Sequence, residues 1–210
     1  MAARVMLAVA LGLALAADTL HVASIPPGTA VARIADSVQW GPPGAVLAGG
    51  ARIWLLRDSG VVAVVAWLPD STPSFRDRVT IALDTQGDRA AAPQHDDFAW
   101  EFHRTLDSSQ IFRGRDGRWQ PPRDDPDWRL GTKREGGGWR VRMREEKAGW
   151  LLVLELDPEY LTQGAAVLPG LALSAFDEST RRWVTWPAIG AGVQPAGMTD
   201  HPNRWGSVQP

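Results

Sequence analysis

The chain has 210 residues, with 22 Lys and Arg against 24 Asp and Glu, a formal net charge of -2 and no cysteine. Without cysteine there is no disulfide, no thiol nucleophile and no lipid anchor on an N-terminal thiol, so the fold must stand on its core. The basic residues are mostly arginines interspersed with acids, which argues against a polyanion-binding face and against nucleic acid as a partner.

Residues 1–17 read as a secretory signal peptide. Arg4 supplies the positive start, Val5 to Ala17 carry no charge, and Ala14, Ala16 and Ala17 suit cleavage before Asp18. That apolar run is too short to span a bilayer, and an uncleaved N-terminal anchor is the alternative. The expected location is secreted or periplasmic, with no membrane span once the leader is removed. The remainder, 18–210, has the size of one domain and can bury a substantial core.

From Asp18 to Pro43 the chain looks loop-like, with Pro26-Pro27 and Pro42-Pro43 as breakers. Strand signals follow in series. Arg52 to Arg57 and Gly60 to Leu68 read as two strands joined at Asp58-Ser59-Gly60, the second almost wholly apolar and suited to burial on both faces. Arg78 to Asp84 is the next. Phe98 to Thr105 alternates, with Phe98, Trp100 and Phe102 on one face and Ala99, Glu101 and His103 on the other. Arg113 to Gly138 is rich in Gly, Pro, Arg and Asp, a long loop or ragged hairpin pinned by Trp119 and Trp128. Trp139 to Glu146 alternates with one wet face, and Gly149 to Leu156 is buried. Pro158 to Leu161 suits one helical turn. Leu171 to Phe176 and Arg182 to Trp186 flank a turn, and the tail closes with a short strand after Pro202 to Gly206. No helical periodicity of useful length appears. The expectation is an all-β fold, an antiparallel jelly-roll-like β-sandwich in one domain.

Motifs for catalysis are missing: there is no nucleophile elbow, phosphate loop, zinc helix or dinucleotide fingerprint. His95-Asp96-Asp97 has acid–base residue types but reads equally as a polar loop. Glu101, Glu155 and Asp157 are carboxylates on or beside strands, yet nothing selects a glycosidase pair from them. Asp84, Gln86 and Asp88 place oxygen ligands at alternate positions, which suits a hard cation such as Ca²⁺ in a structural role; the same residues also suit a plain turn. Met143, His95 and His103 are haem-ligand types, but Met143 falls on the apolar side of its strand, which disfavours haem. Eleven tryptophans stand against one tyrosine. They can fill core, or a few can stack on a ligand with a flat apolar face and a polar edge.

Taken in order, several segments resemble the family 9 carbohydrate-binding modules within the wider DOMON-like sandwich superfamily. These are Ile34-Ala35-Asp36 through Trp40; Val61 to Leu68 with Pro69-Asp70; Asp77 to Asp84; Asp96-Asp97-Phe98; Gly149 to Leu156; Leu171 to Phe176 with Asp177; Thr185-Trp186; and Pro202 to Gly206. The resemblance implies a jelly-roll-like sandwich, Ca²⁺ in some members, and sugar binding without catalysis. Such modules clamp a sugar ring between two aromatic side chains. One clamp position holds Ser74 and Phe75 here, and the other holds Met198 and Thr199, so a two-Trp clamp is not reproduced. Phe75 can supply one half, and Trp186 or Trp205 another, although Trp205 matches a structural position. Thr80 and Glu101 match positions that read hydroxyls. The expected ligand contacts are therefore Phe75, Thr80, Glu101 and Trp186. The expected function is a non-catalytic carbohydrate-binding domain of an exported protein. The alternatives are a sandwich domain for contact with a partner protein, or a haem-binding electron-transfer domain of the same fold.

Overall fold

The computed structural model describes residues 19–24, 41–57, 61–104, 108–121, 138–157, 170–188 and 195–209. The leader, the Pro158 to Leu161 turn and Trp128 lie outside them. The described residues form β1 (Thr19–Ser24), β2 (Ala45–Val46), β3 (Arg52–Arg57), β4 (Val62–Leu68), β5 (Arg78–Asp84), β6 (Asp97–His103), β7 (Ser108–Arg115), β8 (Arg118–Gln120), β9 (Trp139–Glu146), β10 (Gly149–Leu156), β11 (Gly170–Asp177), β12 (Arg182–Trp186) and β13 (Gly206–Gln209). No α-helix occurs among them; short 3-10 turns cover Ala48–Gly50, Pro195–Asp200 and Pro202–Arg204.

The strands join into one curled sheet in the order β8-β7-β6-β5-β11-β13-β1-β3-β4-β10-β9, with β12 beside β11 and β2 beside β3. The curl folds the sheet onto itself. Trp139 of β9 meets Trp100 and Phe102 of β6 at centroid distances of 6.5 and 6.4 Å, although these strands lie far apart in the hydrogen-bonded order. Between the layers lies one core holding Ile53, Leu55, Val64, Ile81, Leu83, Leu152, Leu154 and Leu173. This is the expected all-β sandwich.

The strands expected at 52–57, 78–84, 139–146 and 149–156 have those bounds, while β4 starts at Val62 rather than Gly60 and β6 runs from Asp97 to His103 rather than from Phe98 to Thr105; alternation and apolar runs report burial directly but not the ends of a strand. β4 sits between β3 and β10 and is buried on both faces: Val62, Val64 and Ala66 enter the main core, while Ala63 and Val65 pack under Trp54 and Leu151. The middle segment contains the β7–β8 hairpin. Its turn residues Asp116 and Gly117 both have positive φ, 53 and 75°, the backbone of a tight type I′ connection. Trp119 pins β8 by stacking on Trp205, with centroids 6.3 Å apart and planes 1° off parallel.

The expected loop from Asp18 to Pro43 is corrected by β1. This strand pairs in parallel with both β13 and β3 and so forms the seam between the two layers. Leu20 is fully buried there. The nearby prolines outweighed a short alternation of Leu20 and Val22, whose worth depends on strands distant in sequence.

Candidate functional site

The face of β5, β6, β7, β11 and β12 that turns away from the core carries a polar row. Gln110 is opposite Glu101, Glu101 opposite Thr80, Thr80 opposite Ser174, and Ser174 opposite Thr185. Directly paired residues share a side of a pleated sheet, and their neighbours along each strand point the other way. Ile111, Trp100, Ile81, Leu173 and Trp186 accordingly enter the core.

Two residues further along the strands, the same face carries a row of His103, Arg78, Phe176 and Trp183. Phe176 and Trp183 contact one another with centroids 4.9 Å apart and planes tilted by 42°. The Arg78 guanidinium lies over both rings, 5.7 Å from the Phe176 centroid and 5.2 Å from that of Trp183. In the other direction the face is closed: Ala82, Ala99 and Ala172 are covered by Met198 and Trp205. Small side chains there allow the 195–200 turn to lie directly on the sheet.

Phe75 stands at the open end and is 58% exposed. Its carbonyl oxygen faces His103 Nδ1 at 3.4 Å, and His103 Nε2 faces Glu101 Oε1 at 3.1 Å. Thus Thr80 and Glu101, expected as ligand contacts, share one face, and the exposed Phe75 borders it through its backbone contact with His103. Trp186 does not join them. It is fully buried on the core side of β12, and a Cβ added at Gly206 would come within 2.3 Å of its ring. Strand parity decides this: Trp183 and Thr185 face outward, Val184 and Trp186 inward. The outward aromatic missed from the sequence is Trp183, and the alternation within β12 carries the signal once its pairing with β11 is known. Met198 and Thr199 are buried, and Trp205 donates from Nε1 to the Met198 carbonyl at 3.2 Å, so this end is structural.

The loop bearing Phe75 is held by a buried charge network. Arg104 donates from Nη1 to Asp70 Oδ2 at 2.7 Å and Asp77 Oδ2 at 3.3 Å, and from Nη2 to the Asp70 carbonyl at 3.0 Å. Its Nε and Nη2 also reach the Glu145 carboxylate at 2.8 and 2.7 Å, which ties the loop to β9 across the sandwich. The hydrogen bond from Arg104 holds the Glu145 carboxyl below the usual carboxylate range. Burial pushes Asp70 up.

Asp70, Asp77 and Asp177 bring carboxylate oxygens within 4.8 Å of one another, but they are already provided with donors. Besides Arg104, Asp77 accepts from the Ser74 and Glu178 N–H groups, and Asp177 from Ser179 and Thr180. Arg104 is the cation of this cluster.

A second cluster differs. Asp84, Asp88 and Asp96 also bring oxygens within 4.8 Å of one another. Asp84 accepts from the Gly87 and Arg89 N–H groups, but Asp96 Oδ2 and Asp97 Oδ1 are buried and accept no hydrogen bond. Burial, against the pull of the Gln94 N–H and with help from the neighbouring Asp84 charge, pushes the Asp97 carboxyl up to about 7. Of the three ligands expected from the sequence, Asp84 and Asp88 lie in this cluster, Gln86 is exposed, and Asp96 is the addition. Asp96 arrives from the loop before β6, so local spacing could not reveal it.

The remaining candidates do not assemble. Glu101 is on the outer face of one layer, while Glu155 lies beside Ala63 on the outer side of the other, facing Arg140 at 3.7 Å. Asp157 accepts from the Gly138 N–H at 2.9 Å. Met143 packs against the core, and His95 Nδ1 lies 3.2 Å from Arg113 Nη2.

No protein-family model matches the chain, and no curated protein matches it in sequence. Among solved structures it is similar to a family 9 carbohydrate-binding module from Caldicellulosiruptor kristjanssonii, in one structure complexed with glucose and in another with cellotriose. Each superposes with a TM-score of 0.56 at 15% identity over 91% of this chain, covering 94 and 92% of the respective chains. The fold is that of the family 9 carbohydrate-binding modules.

Proposed function

We propose that this family 9 fold serves here as a non-catalytic sugar-binding domain of an exported protein. The observation that carries the reading is the polar row of Gln110, Glu101, Thr80 and Thr185, with Ser174 buried among them, bordered by aromatic side chains on a sheet face turned away from the core. Hydroxyl-rich ligands need this combination: acceptors and donors for the hydroxyls, and apolar ring faces for the sugar C–H groups. Glu101 and Thr80 would read hydroxyls, while Phe75, with Trp183 in place of Trp186, would supply stacking surface. The neighbours with glucose and cellotriose support a saccharide ligand.

The test is calorimetry of the processed protein with glucose and cello-oligosaccharides at millimolar concentration. Heat of binding that weakens in Phe75→Ala is expected; no heat with these or with a wider glycan panel overturns the reading. Export is tested separately, by N-terminal sequencing of protein recovered outside the cytoplasm, with Asp18 expected as the first residue. No helix among the described residues is long and apolar enough to cross a membrane.

The chemistry of Asp84, Asp88 and Asp96 fits a hard divalent cation, with oxygen donors only and one buried oxygen, Asp96 Oδ2, that lacks a hydrogen-bond donor. These three residues would hold Ca²⁺, which would neutralise the cluster and fix the 84–97 loop to β5 and β6.

A further inference from the structure

The charges on the open face are unevenly spent. Glu101 lies 3.1 Å from His103 Nε2, a charge pair only with the imidazole protonated, and Arg76 is paired with Glu178 at 3.0 Å. Arg78 stands between these pairs, half-buried, and has neither an ion pair nor a hydrogen-bond acceptor among the described residues. Its contacts are the Phe176 and Trp183 rings, over which the guanidinium carbon lies and which stabilise its charge. An aromatic ring uses none of the N–H donors of a guanidinium as a carboxylate would, and these donors match an oxyanion in geometry as well as charge. The surplus is local, because the whole chain has a formal net charge of -2. Along β5, Arg78 is two residues from Thr80 on the same face, so a ligand lying over the polar row reaches it without leaving the sheet.

We infer that the ligand is an acidic sugar, whose carboxylate or sulfate group is taken by Arg78 while its hydroxyls meet Glu101 and Thr80. This deepens the sugar-binding reading and rests on it. The two aromatic rings then act in two ways: they border the sugar and hold the arginine in place before the ligand arrives. Pre-positioning matters for a long side chain, whose ordering otherwise counts against binding.

Calorimetry of the full chain with glucose, glucuronic acid and glucose 6-sulfate tests this. At low salt, one or both acidic sugars should bind at least about tenfold more tightly than glucose, since hydrogen bonds between ionised groups are about twice as strong as neutral ones. Glucuronic acid against glucose 6-sulfate identifies which anion is taken. Added NaCl should weaken the acidic sugar and leave glucose nearly unchanged. In Arg78→Gln the preference should vanish while glucose affinity persists. Equal affinity for acidic and neutral sugars, an acidic-sugar affinity insensitive to salt, or a preference surviving in Arg78→Gln would overturn the inference and leave the sugar-binding reading standing. Failure of every sugar to bind overturns both. The salt series on the unmodified protein keeps the test decisive if Arg78→Gln folds poorly.

Discussion

Trp183 and Trp186 belong to one strand and face opposite sides of it: Trp186 is fully buried against Gly206, and Trp183 is half-exposed beside Phe176. Their substitutions should therefore separate stability from binding. Trp186→Ala should cost about 3–5 kcal/mol in urea unfolding, as expected for emptying a large buried site. Trp183→Ala should leave the unfolding midpoint nearly in place and weaken sugar binding by about tenfold. Equal stability losses for the two would contradict the orientation of β12.

Arg104 is buried against Asp70 and Asp77, which are buried with it, and reaches out to Glu145, whose side chain is half-exposed. Arg104→Ala leaves Asp70 and Asp77 buried without a cation, and removing one partner of such a network costs about 3–5 kcal/mol. Arg104→Lys should recover only part of this, because an ammonium cannot reproduce the fork that meets Asp70, Asp77 and Glu145 together. Chemical denaturation of the two variants checks both statements.

The acidic clusters should respond differently to calcium. Added Ca²⁺ should raise the melting temperature of the wild type, and chelator should reverse the gain, because a ligand bound only by the folded state stabilises it by mass action. Asp84→Asn and Asp96→Asn should each abolish most of the shift. Asp177→Asn, at the cluster already served by Arg104, should leave it unchanged.

Acid should weaken the Arg104 network. The Glu145 carboxyl titrates lower in the folded protein than in the unfolded chain, so its contribution is complete above its ordinary pKa and is lost as the pH falls through the lowered value. Glu145→Gln should flatten that part of the stability profile. A wild-type profile unchanged in slope by this substitution would separate Glu145 from the acid response.

The sandwich was legible because β4, β5, β6, β9 and β10 declare their burial locally, by apolar runs or by alternation. β1 was not, since its stability comes from β3 and β13 on either side rather than from its own six residues. The placement of the expected contact residues was legible in part. Thr80 and Glu101 are opposite one another in the register, and Phe75 comes beside them through His103. The placement of Trp183, Arg78 and Asp96 was hidden because it depends on which strand or loop lies next to which. A tryptophan in a strand announces an aromatic ring, but only its pairing partner says which way the ring points.

The parallel contact of Thr19 with Ser207 links the earliest described strand to the latest. During synthesis, β1 leaves the ribosome long before β13 exists, so the seam closes only after residues 206–209 have emerged. Until then, β1 and the Gly170–Leu171 end of β11 lack the strand that joins them, while β12 already covers the rest of that β11 edge.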